Sequence, residues 1–283
     1  MNLSLKNRKI PILMYHSVSE HATAKFRRFA VASALFHDHM AYLHQQNYTP
    51  LTVTQLLRAR AQGNSSLPER PVVLTFDDGF ADFYTAALPI LQEYNFPATL
   101  YIVTAYVGAT SLWLQHEGEA QRPMLNWEQV ASISAAGIEC GGHTHTHPQL
   151  DTLSATKARE EIVQCKRILE ERLGQEIESF AYPFGYHTAT TQRLVQEAGY
   201  TSACAVKYAM SSETDNPFSL ARLIVSADTS VQALAALLTQ EAPSVTTFYK
   251  RAATPAWRLA RRSISFTHTV RQHKGRQGSG NLV

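Results

Sequence analysis

The sequence predicts an α/β fold in which parallel strands alternate with helices and curl into a closed or nearly closed barrel. Two observations carry this expectation. Short apolar or β-branched runs alternate with helix-periodic segments about seven times, the pattern of a parallel sheet with helices outside it. The residues best suited to chemistry also fall at the ends of those runs, the strand ends at which a β/α barrel gathers its site. At 283 residues the chain fits one such barrel. No glycine-rich phosphate loop argues for an open doubly wound sheet instead.

In chain order, residues 10–15 read as the first buried strand, ending at His16. Ser33 to Gln46 places Leu35, Phe36, Met40 and Leu43 at helical spacing, with Ser33 as a candidate cap. His37, His39 and His44 on that helix read as a solvated face. A second short helix opens at Thr52 and runs to about Ala61, followed by a loop over 63–68. Pro71 to Phe76 is the next strand. Phe83 to Tyr94 is a helix kinked or restarted at Pro89, and 98–103 is a strand. Residues 108–125 form a long loop carrying Trp113. A helix from Trp127 to Ala136 stops at Gly137, and 138–140 is a brief strand. Ser154 to Leu173 is a long amphipathic helix with Ile162, Cys165, Leu169 and Leu173 on one face, ended by Gly174. Strands at 180–183, 200–206 and 218–226 and helices at 190–198 and 231–241 complete the alternation.

Charge divides the chain into a mildly acidic body over 1–245 and a basic extension over 246–283. Of 26 basic side chains, eight lie from Lys250 onward with no acid among them, so the preceding residues carry 18 bases against 23 acids. Trp257, Leu259 and Ile264 beside Arg258, Arg261 and Arg262 allow peripheral membrane contact, and a solvated extension is the plainer reading. An acidic body without a recognition fold argues against nucleic acid as a partner. Three widely spaced cysteines fit reduced thiols, and Cys140 reads as a buried small residue. With no secretory leader pattern and no apolar stretch of about 18 residues, the expected location is cytoplasmic. The oligomeric state is left open.

The chemistry centres on Thr75-Phe76-Asp77-Asp78-Gly79. At a strand's end the chain is turning, so both carboxylates can enter one pocket, with Gly79 supplying the backbone freedom. Alone, Asp-Asp-Gly is equally a turn. Some 65 residues on, Gly141-Gly142-His143-Thr144-His145-Thr146-His147-Pro148 supplies the partner. His143 and His147, four apart, can converge on one cation if the segment makes a helical turn. Two histidines and one carboxylate, with a position left for water, form a catalytic zinc arrangement.

Thr75-Phe76-Asp77-Asp78-Gly79, His143-Thr144-x-x-His147-Pro148 and Tyr182-Pro183-Phe184-Gly185 resemble three successive motifs of the polysaccharide deacetylases, carbohydrate esterase family four. The resemblance spans roughly residues 9–228 and includes Pro11 to His16, Pro97-Ala98-Thr99 and Leu150. It implies a distorted (β/α)7 barrel. It implies Asp78, His143 and His147 as ligands of zinc or another divalent transition metal, Asp77 as general base, and the Phe184 amide as oxyanion donor.

Two departures stand out. Ala181 occupies a position where many members of the family carry an arginine that orients the base, and Arg222 is the candidate replacement. The usual late histidine motif is missing. The subgroup with an early Tyr-His motif, which includes biofilm poly-N-acetylglucosamine deacetylases, implies His16 as general acid. Phe180, Tyr182 and Trp113 are candidate walls for a sugar ring, His145 is expected to point away from the metal, and His187 to lie on a surface loop.

The implied activity is metal-dependent removal of an N-acetyl group from an amino sugar, in a polysaccharide such as an exopolysaccharide or in a lipid-linked glycan. The alternatives are a deformylase or other non-peptide C–N hydrolase using the same site, and a catalytically silent glycan-binding protein, which Ala181 keeps open.

Overall fold

The computed structural model describes residues 8–63 and 66–239. The basic extension expected over 246–283, and the boundary drawn at 245, lie outside the described residues.

The elements follow the expected alternation. They are β1 (Ile12–Tyr15), β2 (Ser17–Val18), β3 (Ala30–Val31), α1 (Ser33–Gln45), β4 (Thr49–Leu51), α2 (Val53–Ala61) and β5 (Pro71–Phe76). Then come α3 (Leu88–Glu93), β6 (Thr99–Ile102), α4 (Trp127–Ala135), β7 (Glu139–Gly142), α5 (Ala155–Leu173) and β8 (Ser179–Ala181). The series ends with α6 (Ala189–Glu197), β9 (Ser202–Cys204), β10 (Leu223–Ile224) and α7 (Val231–Leu238).

Seven parallel strands run side by side in the order β10-β1-β5-β6-β7-β8-β9. The chain closes the path near its end. Leu220 exchanges backbone hydrogen bonds of 2.9 Å with Ala203 and Ala205 beside β9, and Leu223 then pairs with Leu13 of β1. The result is the distorted (β/α)7 barrel that the sequence predicts. β4 was not expected; it pairs with the first half of β5, while β6 pairs with the second half of the same strand.

Side-chain alternation sorts each strand between two layers. Ile12, Val73, Tyr101, Ala181 and Cys204 point into the barrel, where Val53 and Leu56 of α2 pack against them. Leu13, Tyr15, Leu74, Phe76, Leu100 and Phe180 face the helices. Each fully buried side chain of this kind contributes about 1.5–3 kcal/mol. The interior also holds polar groups, each bonded: Tyr101 Oη lies 2.7 Å from Ser179 Oγ, and Ser202 Oγ donates to the same oxygen. Because Val73 faces inward, Thr75 and Asp77 do so too, and this brings Asp77 to the top of a polar column.

Several local expectations needed correction. Ser33 does not cap α1; it is the first helical residue, and its N–H donates to Glu20 Oε1 at 2.9 Å. His39 does not share the solvated face of His44. It is fully buried, with Nε2 donating to Thr229 O at 2.7 Å and Nδ1 accepting from Tyr15 Oη at 3.2 Å. Pro89 restarts the helix, since a wide π turn over Phe83–Ala87 precedes α3. The strand expected over 218–226 shrinks to β10, because Leu220 is engaged with β9.

The approach of β7 to its neighbours depends on glycine. A Cβ built at Gly141 would lie 2.6 Å from the Tyr101 ring and 2.8 Å from the Ser179 carbonyl oxygen, and neither buried group has room to retreat. Gly141→Ala is therefore expected to destabilise the fold by about 1–3 kcal/mol, read as a lowered denaturant midpoint at unchanged m-value. An unchanged midpoint would mean that the strand spacing is looser than described.

Candidate metal centre

The C-terminal ends of β5 and β7 carry the site. Asp77 follows β5, its N–H donating to Tyr15 O at 3.0 Å. Asp78 comes next with φ of 78° and Gly79 with 82°. The backbone freedom expected of Gly79 alone is thus shared with an aspartate, one of the few side chains that tolerate this region. Both carboxylates are buried at 4% exposure, yet they face different partners.

Asp77 meets Arg222, which is fully buried just before β10. The guanidinium forks onto the carboxylate, Nη1 to Oδ1 at 2.6 Å and Nη2 to Oδ2 at 2.7 Å. Two of its remaining donors reach Thr75 Oγ1 at 3.2 Å and Ala205 O at 3.3 Å. Burial alone would raise the Asp77 carboxyl, but Arg222, His143 and His16 hold it below the usual carboxylate range. Ala181 lies among the inward-facing core residues; its carbonyl serves the site.

Asp78 meets the histidines. Its Oδ1 lies 3.4 Å from His143 Nε2 and 3.2 Å from His147 Nε2, and burial is again outweighed by these neighbours, which lower its pKa. His143 Nδ1 donates to Ala181 O at 2.8 Å, which fixes the ring tautomer and leaves the Nε2 lone pair directed at Asp78. His147 is packed between the rings of Trp113, at 5.1 Å, and Phe184, at 5.0 Å.

The segment does not form the helical turn that the four-residue spacing suggested. Thr144 and His147 adopt φ of 67° and 62°, and the His147 N–H donates to Thr144 Oγ1 at 3.0 Å. Convergence of the imidazoles comes from this strained, irregular loop.

Asp78, His143 and His147 form the one buried group of metal-ligating side chains among the described residues, their donor atoms within 4.8 Å of one another. The spacing fits a divalent ion. Ligand atoms about 2.0–2.2 Å from a tetrahedral zinc ion lie roughly 3.4 Å apart, close to the two nitrogen–oxygen separations here.

The remaining candidates separate clearly. His16 lies near both carboxylates, its ring 4.8 Å from that of Phe29, and burial lowers its pKa although Asp78 and Asp77 oppose the shift. Phe184 has φ of 60° and a half-exposed ring. His145 points away from the metal group, toward Thr104 Oγ1 and Gln164. Phe180 and Tyr182 are fully buried and cannot serve as sugar walls, and His187 lies on the loop before α6, partly exposed, with its ring stacked on Tyr182. Cys140 is buried with its thiol pushed up to about 12, as suits a packing residue.

Sequence reasoning missed Glu161. From α5 its carboxylate accepts from the N–H groups of His145 and Thr146, at 2.9 and 2.7 Å, and from Thr146 Oγ1 at 2.6 Å. Nothing in the local sequence distinguishes it from Glu160 except its place beside the apolar stripe. Arg122 was also missed. It ties the long loop to Asp82, Glu119 and Ser17, the residue after His16.

Comparison with known proteins agrees with this geometry. The family model for polysaccharide deacetylase matches residues 64–203. YxkH of Bacillus subtilis (strain 168) is 27% identical over 233 residues, 82% of this chain and 77% of that protein. The poly-beta-1,6-N-acetyl-D-glucosamine N-deacetylase of Escherichia coli (strain K12) is 31% identical over 136 residues, 47% of this chain and a 20% share of that longer protein. Among solved structures, the Streptococcus pyogenes deacetylase PplD in complex with acetate superposes with a TM-score of 0.72 at 26% identity, covering 83% of this chain and 100% of that one. The first two motifs bring their ligand atoms together, Phe184 of the third packs against His147, and the chain belongs to the polysaccharide deacetylase family.

Proposed function

We propose that this chain is a metal-dependent hydrolase that removes the N-acetyl group from an amino sugar in a polysaccharide or a lipid-linked glycan. The observation that carries the reading is the division of labour between adjacent carboxylates. Asp78 joins two histidines in a metal-binding group, and Asp77, whose Oδ2 lies 4.0 Å from His143 Nε2, is gripped by Arg222 instead. Zinc suits the donor set of two imidazoles and one carboxylate. When bound, the metal supplies a Lewis acid centre toward the amide carbonyl.

The chain's own residues account for the proton transfers. Asp77, kept ionised by Arg222, takes a proton from the attacking water; each of its oxygens has a lone pair left after the guanidinium fork. The fork also fixes the carboxylate in place, so little reorganisation is needed. The Phe184 N–H is the proposed donor to the developing oxyanion, on a backbone already bent to φ of 60°. His16, in its protonated form, is the proposed donor of a proton to the leaving amine; burial lowers its pKa, and Asp78 and Asp77 oppose that shift. His16→Ala is expected to lower turnover about 10²–10⁴-fold with metal content unchanged, and full activity in this variant would remove it from the mechanism.

The reading is tested by acetate release from N-acetylglucosamine oligomers of increasing length and from a lipid-linked N-acetylglucosamine, using chelator-stripped protein with and without added zinc. Zinc-dependent acetate release from any of these supports it. Formate release from N-formyl analogues, with no acetate from the whole panel, would replace it with the deformylase alternative.

A further inference from the structure

We infer that Glu161 is a positioning residue for the metal ligands, holding the loop from His143 to His147 in the shape that brings both imidazoles to Asp78. This inference rests on the metal-binding reading of that group.

The loop needs an outside partner. Thr144 and His147 both sit in the left-handed region, with φ of 67° and 62°, which threonine and histidine seldom adopt. Such conformations persist only where the surroundings over-determine them. Even a single helical turn would leave the N–H groups of His145 and Thr146 without acceptors, since the first-turn donors of a helix have no partner inside it. Here the turn is not formed, and Thr144 Oγ1 accounts only for the His147 N–H. The two consecutive N–H groups between the strained residues, those of His145 and Thr146, both donate to Glu161 Oε2. The other oxygen, Oε1, accepts from Thr146 Oγ1. One carboxylate therefore accepts three hydrogen bonds from the two residues midway between the ligands.

The scaffold behind Glu161 is stiff. Ile162 and Cys165 of α5 are fully buried, so the helix cannot slide relative to β7 without breaking the outer core. Gln164, one turn on, meets His145 Nε2 at 3.1 Å. From the opposite side, Thr104 Oγ1 meets His145 Nδ1 at 2.9 Å and the Ala105 N–H donates to His145 O at 2.8 Å. The loop is gripped between α5 and the segment after β6. Within that grip, Glu161 supplies the acceptors for the otherwise unsatisfied backbone donors.

The test measures the zinc dissociation constant by competition with a chelator of known affinity, beside the denaturant midpoint of the metal-free protein. Wild type, Glu161→Ala and Glu161→Asp are compared. Glu161→Ala is expected to weaken zinc binding about 10–100-fold, the range typical for losing an outer partner of a metal ligand. Glu161→Asp, which keeps the charge but withdraws it by one methylene, is expected to weaken it less, and it decides the matter should the alanine variant fail to fold. A lowered midpoint with zinc affinity equal to wild type would overturn the inference, since Glu161 would then be a structural residue only. Wild type that binds no stoichiometric zinc would instead overturn the metal-binding reading on which the inference stands.

Discussion

Asp77→Asn is expected to slow acetate release by about 10²–10⁴-fold while the protein still binds one metal ion. The asymmetry follows from geometry. Asp77 is outside the group formed by Asp78, His143 and His147, so the substitution removes a proton acceptor and no member of that group. Asparagine keeps one oxygen for the Arg222 fork but presents an NH₂ where the second oxygen was. Some stability is lost as well, and turnover must be compared at a temperature where both proteins are folded. Loss of metal in Asp77→Asn would mean that Asp77 is itself a ligand and that the two carboxylates have been assigned the wrong way round.

The second large effect concerns Arg222. Replacing it with methionine leaves the Asp77 carboxylate buried without its partner, and breaking a buried pair from one side costs about 3–5 kcal/mol. The pair itself need not stabilise the fold by that amount, because most of the cost is the uncompensated charge. Combining Arg222→Met with Asp77→Asn should therefore recover part of the loss, and a double-mutant cycle on denaturant midpoints measures the recovery. A loss below about 1 kcal/mol for Arg222→Met would show that Asp77 takes up a proton or water at little cost. Lysine is not an adequate substitute, since it has no planar fork to hold both carboxylate oxygens.

These two variants rest on different parts of the sequence. Asp77 and Asp78 were legible because a run of apolar residues ending in two acids and a glycine, by itself equally a turn, is joined by the histidine cluster some 65 residues on. Inward alternation along β5 then fixes which acid follows Thr75 into the barrel. Arg222 was legible as a charge inside the apolar stretch Leu220 to Val225, although its partner, 145 residues away, emerges only when the barrel closes. The helical turn expected between His143 and His147 failed for a physical reason. Spacing reports which residues can share a face, and it is silent on a threonine and a histidine at positive φ in a loop whose intervening N–H groups bond to another helix. Glu161 is invisible on the same ground, because it acts on the loop through donors 15 and 16 residues away. The burial of His39 was missed because polar residues on a periodic face read as solvated unless their distant partners are known, here Tyr15 and Thr229.

The departure at Ala181 bears on whether the site is active. An alanine there leaves Asp77, the proposed base, without the arginine that the family resemblance leads one to expect at that position, and the fold brings another to the same carboxylate from beside β10. The early histidine likewise feels the charge of both acids, where a late motif is missing. The proposed chemistry thus draws its arginine from just before β10 and its acid from just after β1, two strands that pair with each other.

The most direct measurement of the central claim is a zinc titration of chelator-stripped protein in which bound metal and the rate of acetate release are followed together on one N-acetylglucosamine substrate. The expected result is a rate that rises in proportion to bound zinc and saturates at one equivalent, with neither tight binding nor acetate release in His143→Ala. Acetate release that persists in the stripped protein, or one-equivalent binding that survives in His143→Ala, would contradict it.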